Sequence, residues 1–201
     1  MAIIDYKNKI IKAKILYYGS GYSGKTANIK YIQKTYPTKV SGERVSIETE
    51  TGRTQFFDFM ALGLGNIEGF HTYFNLYSSP GQDVYASLKE IVLKDIDGLV
   101  FVVDSQREAF AANITALQQL LVYCKTAGRE MSTIPIVIQY NKQDMEDLVP
   151  DDVLNKEFAP YSHLIFKASA LRGDGVIDTL KAISKLVLAK IDEQLERDNI
   201  L

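Results

Sequence analysis

Apolar positions along this chain fall into two rhythms that alternate. Residues 10–18, 99–103, 134–140 and 164–168 are short runs rich in β-branched and aromatic side chains, and they read as strands. The run Leu99-Val100-Phe101-Val102-Val103 has no polar alternation, the pattern of a strand covered on both faces. Between these runs, residues 26–36, 82–93, 109–127 and 174–195 carry helical spacing. Pro37 stops the first of these helices, and Ile177, Leu180, Ile183, Val187 and Ile191 form one stripe on the last. A short helix is expected after Pro150. Residues 54–62 and 70–77 bracket Gly63, Gly65 and Gly69, which predicts a hairpin with a longer loop. Strands alternating with helices predict an α/β fold of three layers: a mixed, mostly parallel sheet with helices on both faces. No repeat or Pro/Gly/Ser-rich linker divides the chain, so residues 1–201 are expected to form one domain.

Composition narrows the class. The chain has 201 residues, 46% hydrophobic and 24% charged, which excludes a disordered chain or a disulfide scaffold. No apolar stretch is long enough to span a bilayer. The 23 basic and 25 acidic residues leave no basic excess, so nucleic acid is not an expected partner. Cys124 is the lone cysteine, so no internal disulfide can form. There is no signal-peptide pattern at the start, residue 2 is Ala2 rather than Gly, and no prenylatable cysteine precedes Leu201. A cytoplasmic location is the expectation. Lys7, Lys9, Lys12 and Lys14 read as the wet side of the first strand and its approach rather than as a membrane patch.

The strongest local signal is Gly19-Ser20-Gly21-Tyr22-Ser23-Gly24-Lys25-Thr26, which fits G-x-x-x-x-G-K-[ST] at every fixed position. An apolar strand precedes it and a helix follows. Its glycines let backbone N–H groups curl into an anion-binding nest, reinforced by the positive end of the helix. Lys25 supplies charge for the β and γ phosphates, and the Thr26 hydroxyl suits Mg²⁺. The loop alone does not choose a base. Asn141-Lys142-Gln143-Asp144 follows the strand at 134–140. Asp144 can accept from guanine N1–H and its 2-amino group together, whereas adenine would leave that carboxylate unpaired. Asn141 can bridge base and phosphate loop, the Lys142 stem can cover the ring, and Ser169-Ala170-Leu171 offers a second base-side loop.

These motifs, with Tyr17-Tyr18-Gly19, Arg53-Thr54-x-Phe56-Phe57-Asp58-Phe59, Leu76-Tyr77-Ser78-Ser79-Pro80-Gly81-Gln82, Asp97-Gly98-Leu99 through Ser105 and Ile138-Gln139-Tyr140-Asn141-Lys142, are collinear. The chain resembles the Ras-like small GTPase superfamily over almost its whole length, and within it the MglA-like gliding-motility and polarity branch of bacteria. The resemblance implies the P-loop small G-protein fold, GTP and GDP as ligands, Mg²⁺, and a GTP-hydrolysing switch. Two segments would then read the γ-phosphate. The first spans about 38–54, with Thr54 meeting Mg²⁺ and the γ-phosphate. The second begins at Ser78; Gly81 would donate to the γ-phosphate and Gln82 would orient the attacking water. Arg53 would act as an arginine finger in cis. Ala27 would lie near the α-phosphate. Slow intrinsic hydrolysis, a roadblock-type (MglB-like) homodimeric activator, GTP-state effectors, a monomer when alone, and recruitment to a cell pole complete what the resemblance implies.

One departure stands out. Ser78 occupies the position where Ras-like chains carry an aspartate that holds a Mg²⁺-bound water, and MglA-like chains also have an uncharged hydroxyl there. Asp58 on the neighbouring strand is the candidate to replace the charge. Two alternatives stay open: a nucleotide-binding scaffold with negligible hydrolysis, and an ATP-using phosphotransferase with Asp104 as its Mg²⁺ anchor. His71 and His163 read as ordinary strand or loop residues, Cys124 as an unreactive helix thiol, and Glu146, Asp147, Asp151 and Asp152 as solvated.

Overall fold

A computed structural model describes residues 2–48, 54–67, 69–79, 93–162 and 164–198, with the backbone alone for 40–48, 54–59, 64 and 67. Its strands are β1 (Ile3–Asp5), β2 (Ile10–Tyr18), β3 (Val40–Glu48), β4 (Thr54–Ile67), β5 (Phe70–Ser78), β6 (Gly98–Asp104), β7 (Ile136–Asn141) and β8 (Ile165–Lys167). The described helices are α1 (Lys25–Thr35), α2 (Phe110–Thr126), α3 (Asp151–Phe158) and α4 (Val176–Asp198). The strands form one sheet in the order β3-β4-β5-β2-β6-β7-β8, with β1 paired to the start of β2. The β5-β2-β6-β7-β8 pairings are parallel, while β3-β4, β4-β5 and β1-β2 are antiparallel. The mixed, mostly parallel sheet is therefore the one the alternating pattern predicts.

Two apolar cores lie on opposite sheet faces. Ile11, Ala13, Ile15 and Tyr17 of β2 pack with Ile29 and Ile32 of α1 and with Val176, Leu180, Ile183, Val187, Ile191 and Leu195 of α4. Leu16 and Tyr18 face the other way, toward Leu117, Leu120 and Cys124 of α2 and Leu154 and Phe158 of α3. Strand β6 is buried throughout, as its unbroken apolar run requires. The stripe expected on the last helix is present, except that Ile177 is only half-buried and Val176 takes the inward place.

One expectation is corrected. The 54–77 hairpin does not have a long loop: β4 runs on through Gly63 and Gly65 to Ile67, with a register shift between those glycines. A bulge absorbs them inside the ladder, and β5 begins at Phe70. Within the segment expected as the first switch, 38–54, residues 40–48 form strand β3, paired antiparallel with β4. The expected helix at 82–93 lies outside the described residues except for Leu93, as does His163. His71 is an exposed strand residue, and Cys124 is buried with its Sγ 3.5 Å from Met131 Sδ. Burial pushes the Cys124 thiol up, which matches an unreactive thiol. Lys12 is exposed on β2, Lys7 and Lys9 sit in the β1–β2 turn, and Lys14 is half-buried, its Nζ donating to Lys94 O at 3.0 Å. Among the described residues, no helix is long and apolar enough to cross a membrane.

Candidate functional site

The site lies where the parallel strands end, as open α/β sheets dictate. Strand β2 delivers the phosphate loop directly into α1. Two loop glycines hold conformations that other residues resist. Gly19 has φ 153°, and a Cβ there would stand 2.2 Å from Val102 O. Gly24 has φ 97°, and its Cβ would stand 2.1 Å from Asn141 Nδ2. Tyr22 adopts the left-handed region as well, with φ 61°, and 62% of its surface is exposed. Such a conformation in a bulky residue is a local strain of the kind that gathers at functional loops.

Lys25 is 6% exposed. Its Nζ donates to the loop's own carbonyls, Ser20 O at 2.5 Å and Gly19 O at 3.2 Å. That arrangement sets one buried positive charge inside the loop. Helix α1 has no acidic residue in its first turn and no side-chain cap. Its positive end therefore meets no carboxylate of its own, the electrostatics of an anion site. Gly21 and Ala27 are half-buried along the same loop and helix start, and Ser23 is fully buried.

The base-side motif sits beside this loop and is tied to it. Asn141, buried at the end of β7, donates from Nδ2 to Ser23 O at 2.7 Å and accepts at Oδ1 from Ala170 N at 2.8 Å. One side chain thus joins the phosphate loop to the loop after β8. Lys142 has φ 65°, and its Nζ lies 2.6 Å from Asp104 Oδ2 and 3.0 Å from Gln106 Oε1. Asp144 is half-buried, and a hydrogen bond from Ser169, the largest influence, holds its carboxyl below the usual carboxylate value of 3.8. The charged form that guanine donors need is therefore the form favoured. Ser169 and Ala170 are buried, while Leu171 projects with 84% of its surface exposed.

The structure brings together Gly19 to Ala27, Asn141, Lys142, Asp144 and the 169–171 loop. Arg53, Gly81 and Gln82 lie outside the described residues, as do the side chains of Thr54 and Asp58. Asp58 stands directly opposite Ser78 in the β4–β5 register, and Ser78 is fully buried. For Mg²⁺, the donor set fits an ion held chiefly by phosphate oxygens: Thr26 puts a hydroxyl-bearing, half-buried residue on the first turn of α1. Among the described residues, no cluster of three or more His, Cys, Asp or Glu forms a protein-only cage.

Two site residues escape a motif reading. Asp104 shares its register position with Asn141 and engages Lys142, so its carboxylate belongs to the base side rather than to a phosphate-bound metal. Asn113 of α2 is buried; it accepts at Oδ1 from the Ser20 hydroxyl at 2.8 Å and donates from Nδ2 to Asp104 O at 2.7 Å. The only sequence signal for Asn113 is an amide among apolar helix residues.

A phosphate loop opening a helix, with a guanine-suited carboxylate on the next loops, defines a G protein. The family model for the Gtr1/RagA G protein conserved region matches residues 14–168. The chain belongs to this family of Ras-like GTPases. It is also 43% identical over 191 residues, 95% of this chain and 98% of the relative, to the mutual gliding-motility protein MglA of Myxococcus xanthus (strain DK1622). The chain is therefore a Ras-like GTPase close to MglA.

Proposed function

We propose that residues 1–201 act as one G domain, a GTP-hydrolysing switch that contributes to bacterial cell polarity or motility by recruiting effectors in its GTP state. The observation that carries the reading is the Asn141 bridge between Ser23 of the phosphate loop and Ala170 of the base-side loop. A guanine nucleotide would engage the same two loops, with its phosphates at Lys25 and Thr26 and its base at Asp144, Lys142 and the 169–171 loop. Mg²⁺ would be held by Thr26 and Thr54 and would neutralise phosphate charge.

Hydrolysis in this reading uses Gln82 to orient water, Gly81 to donate to the γ-phosphate, and Arg53 to stabilise developing charge. A cis arginine on an unassisted segment loses part of its benefit, because misplacement weakens transition-state contact. Turnover alone is then no faster than the cis-arginine range of about 10⁻² s⁻¹. A roadblock-type, MglB-like homodimer would complete the geometry without an arginine of its own. The name of the Myxococcus relative, a mutual gliding-motility protein, supports the motility assignment. The protein is expected in the cytoplasm, monomeric alone and recruited to a cell pole.

A scaffold with negligible hydrolysis is the second reading, and Ser78 favours it, since the position offers no charge for a metal-bound water. The phosphotransferase reading loses its anchor, because Asp104 is engaged by Lys142. Purified protein incubated separately with GTP and ATP, with bound nucleotide and released phosphate followed in single turnover, separates the readings. Retained GTP with slow phosphate release supports the switch. Gln82→Leu should then bind GTP and barely hydrolyse it, Gly21→Val should behave alike, and Arg53→Ala should lose stimulation by the partner. Wild-type turnover in Gln82→Leu would overturn this mechanism.

A further inference from the structure

Strand β7 reads Ile-Val-Ile-Gln-Tyr-Asn and is buried at all six positions. Asn141 has its place in the site, but Gln139 does not: an amide in an apolar strand, fully buried. Strand alternation puts Gln139 on the same face as Asn141, one pleat deeper. There it meets Asn28 of α1 in a reciprocal amide pair. Asn28 Nδ2 donates to Gln139 Oε1 at 2.8 Å, and Gln139 Nε2 donates back to Asn28 Oδ1 at 3.0 Å.

The pair continues in both directions. The second Nδ2 hydrogen of Asn28 goes to Gly24 O at 3.0 Å, the last glycine of the phosphate loop. Gln139 Nε2 also donates to Thr179 Oγ1 at 3.0 Å, and the Thr179 hydroxyl donates to Gly175 O at 2.7 Å. Gly175 adjoins Asp174, whose carbonyl accepts from Ser169 N at 2.9 Å. Asn28, Gln139 and Thr179 are all fully buried, and every amide N–H of the pair has a partner.

We propose that Asn28, Gln139 and Thr179 form a second tie between the phosphate loop and the base-side loop, and act as positioning residues that slow nucleotide release. Asn141 makes the first tie, from Ser23 O to Ala170 N. One tie leaves the two loops free to rotate about it, and a second, parallel tie fixes their mutual orientation. A nucleotide grips both loops at once, so its retention depends on that orientation. Apolar side chains of similar shape could fill the same space without desolvating two amides and a hydroxyl. The polar set therefore adds geometry rather than packing. The inference rests on the guanine-nucleotide reading for its ligand.

The test compares Asn28→Leu, Gln139→Leu and the double variant. Two quantities are read: the melting midpoint of nucleotide-stripped protein, and the release rate of a fluorescent GDP chased with excess GDP. Each single variant leaves a buried amide unpaired, so the midpoint falls and release quickens about tenfold. The double variant removes both partners, so the midpoint recovers while release stays fast. A double variant that recovers both midpoint and wild-type release makes the pair merely structural and overturns the proposal. Should the double variant not fold, Thr179→Val keeps the side-chain shape and should still release GDP several-fold faster, whereas Thr179→Ser, which keeps the hydroxyl, should not. Wild-type release from Thr179→Val would equally overturn the proposal. Fluorescent ADP on the wild type checks the guanine reading separately. If ADP is retained instead of GDP, that reading fails, and the ties are then judged on ADP release.

Discussion

The phosphate side and the base side of this site are built from different material. The phosphate loop is mainly backbone: glycines in conformations that a Cβ forbids, loop carbonyls around Lys25, and the start of a helix. The base side is mainly side chains: Asn141, Lys142 held by Asp104 and Gln106, and Asp144 held by Ser169. Backbone presents the same donors whatever base is attached, so it can grip phosphate strongly and choose nothing. Side chains carry the donor and acceptor pattern that tells one base from another. Affinity and specificity are thus separable here, and mutations should separate them.

The largest effect should come from Gly24→Ala, where the two materials touch. A Cβ would meet Asn141 Nδ2 at 2.1 Å, and φ 97° is already unfavourable for alanine. Binding of GTP and ATP should fall together by roughly a hundredfold or more, with the fold retained by circular dichroism. Near-normal affinity in titration calorimetry would break the comparison at its contact point.

Next in size are two changes that should split the sides. Asp144→Asn sets a donor against guanine's donors and should cost about a hundredfold in GTP affinity, with far less effect on ATP. Lys25→Ala should weaken both triphosphates and leave their ratio unchanged. Equal ratios in the two variants would mean that the base is read elsewhere.

Asp104→Asn is expected to act more mildly. It removes the buried carboxylate that holds Lys142 Nζ at 2.6 Å, so GDP release should quicken about tenfold. Discrimination against ATP should stay intact, because Asp144 is untouched. A stopped-flow chase of fluorescent GDP measures it.

The smallest effect is on pH. The Asp144 pKa is lowered in the fold, with the Ser169 hydrogen bond first among its causes. A carboxylate with a depressed folded pKa contributes above its unfolded value and loses that contribution as pH falls through the folded one. Guanine preference should therefore stay level from neutral down to about pH 5 and decline only in stronger acid. A decline already near pH 6 would show that a different group governs the base.

The same contrast explains what could be read before the fold was known. The phosphate loop was legible because its chemistry is local: eight consecutive residues dictate their own backbone path. Asn141 to Asp144 were legible because they follow a recognisable strand. Asp104 was not, since only pairing in register with Asn141 brings it to Lys142. Strand β3 was not, because an edge strand at 40–48 depends on the partner it finds in β4. The continuation of β4 through Gly63 and Gly65 was hidden for a similar reason, as glycines there signal a loop unless a neighbouring strand, here β5, holds them in its ladder.

What the sequence determined by itself is therefore what short-range chemistry can write. That includes the alternation of parallel strands with helices, and the two local motifs proposed as the anion nest with its lysine and the carboxylate suited to guanine. The tertiary structure alone decided which distant polar groups meet. Asn28 and Gln139 lie 111 positions apart, and Ser20 and Asn113 lie 93 apart. Asn28, Gln139 and Asn113 are each an isolated amide with no local pattern to mark it. A buried polar group is stable only beside its complement, and no rule of spacing along the chain names that complement. The parallel crossovers, which set α1 and α4 on one face of the sheet and α2 on the other, bring the partners together.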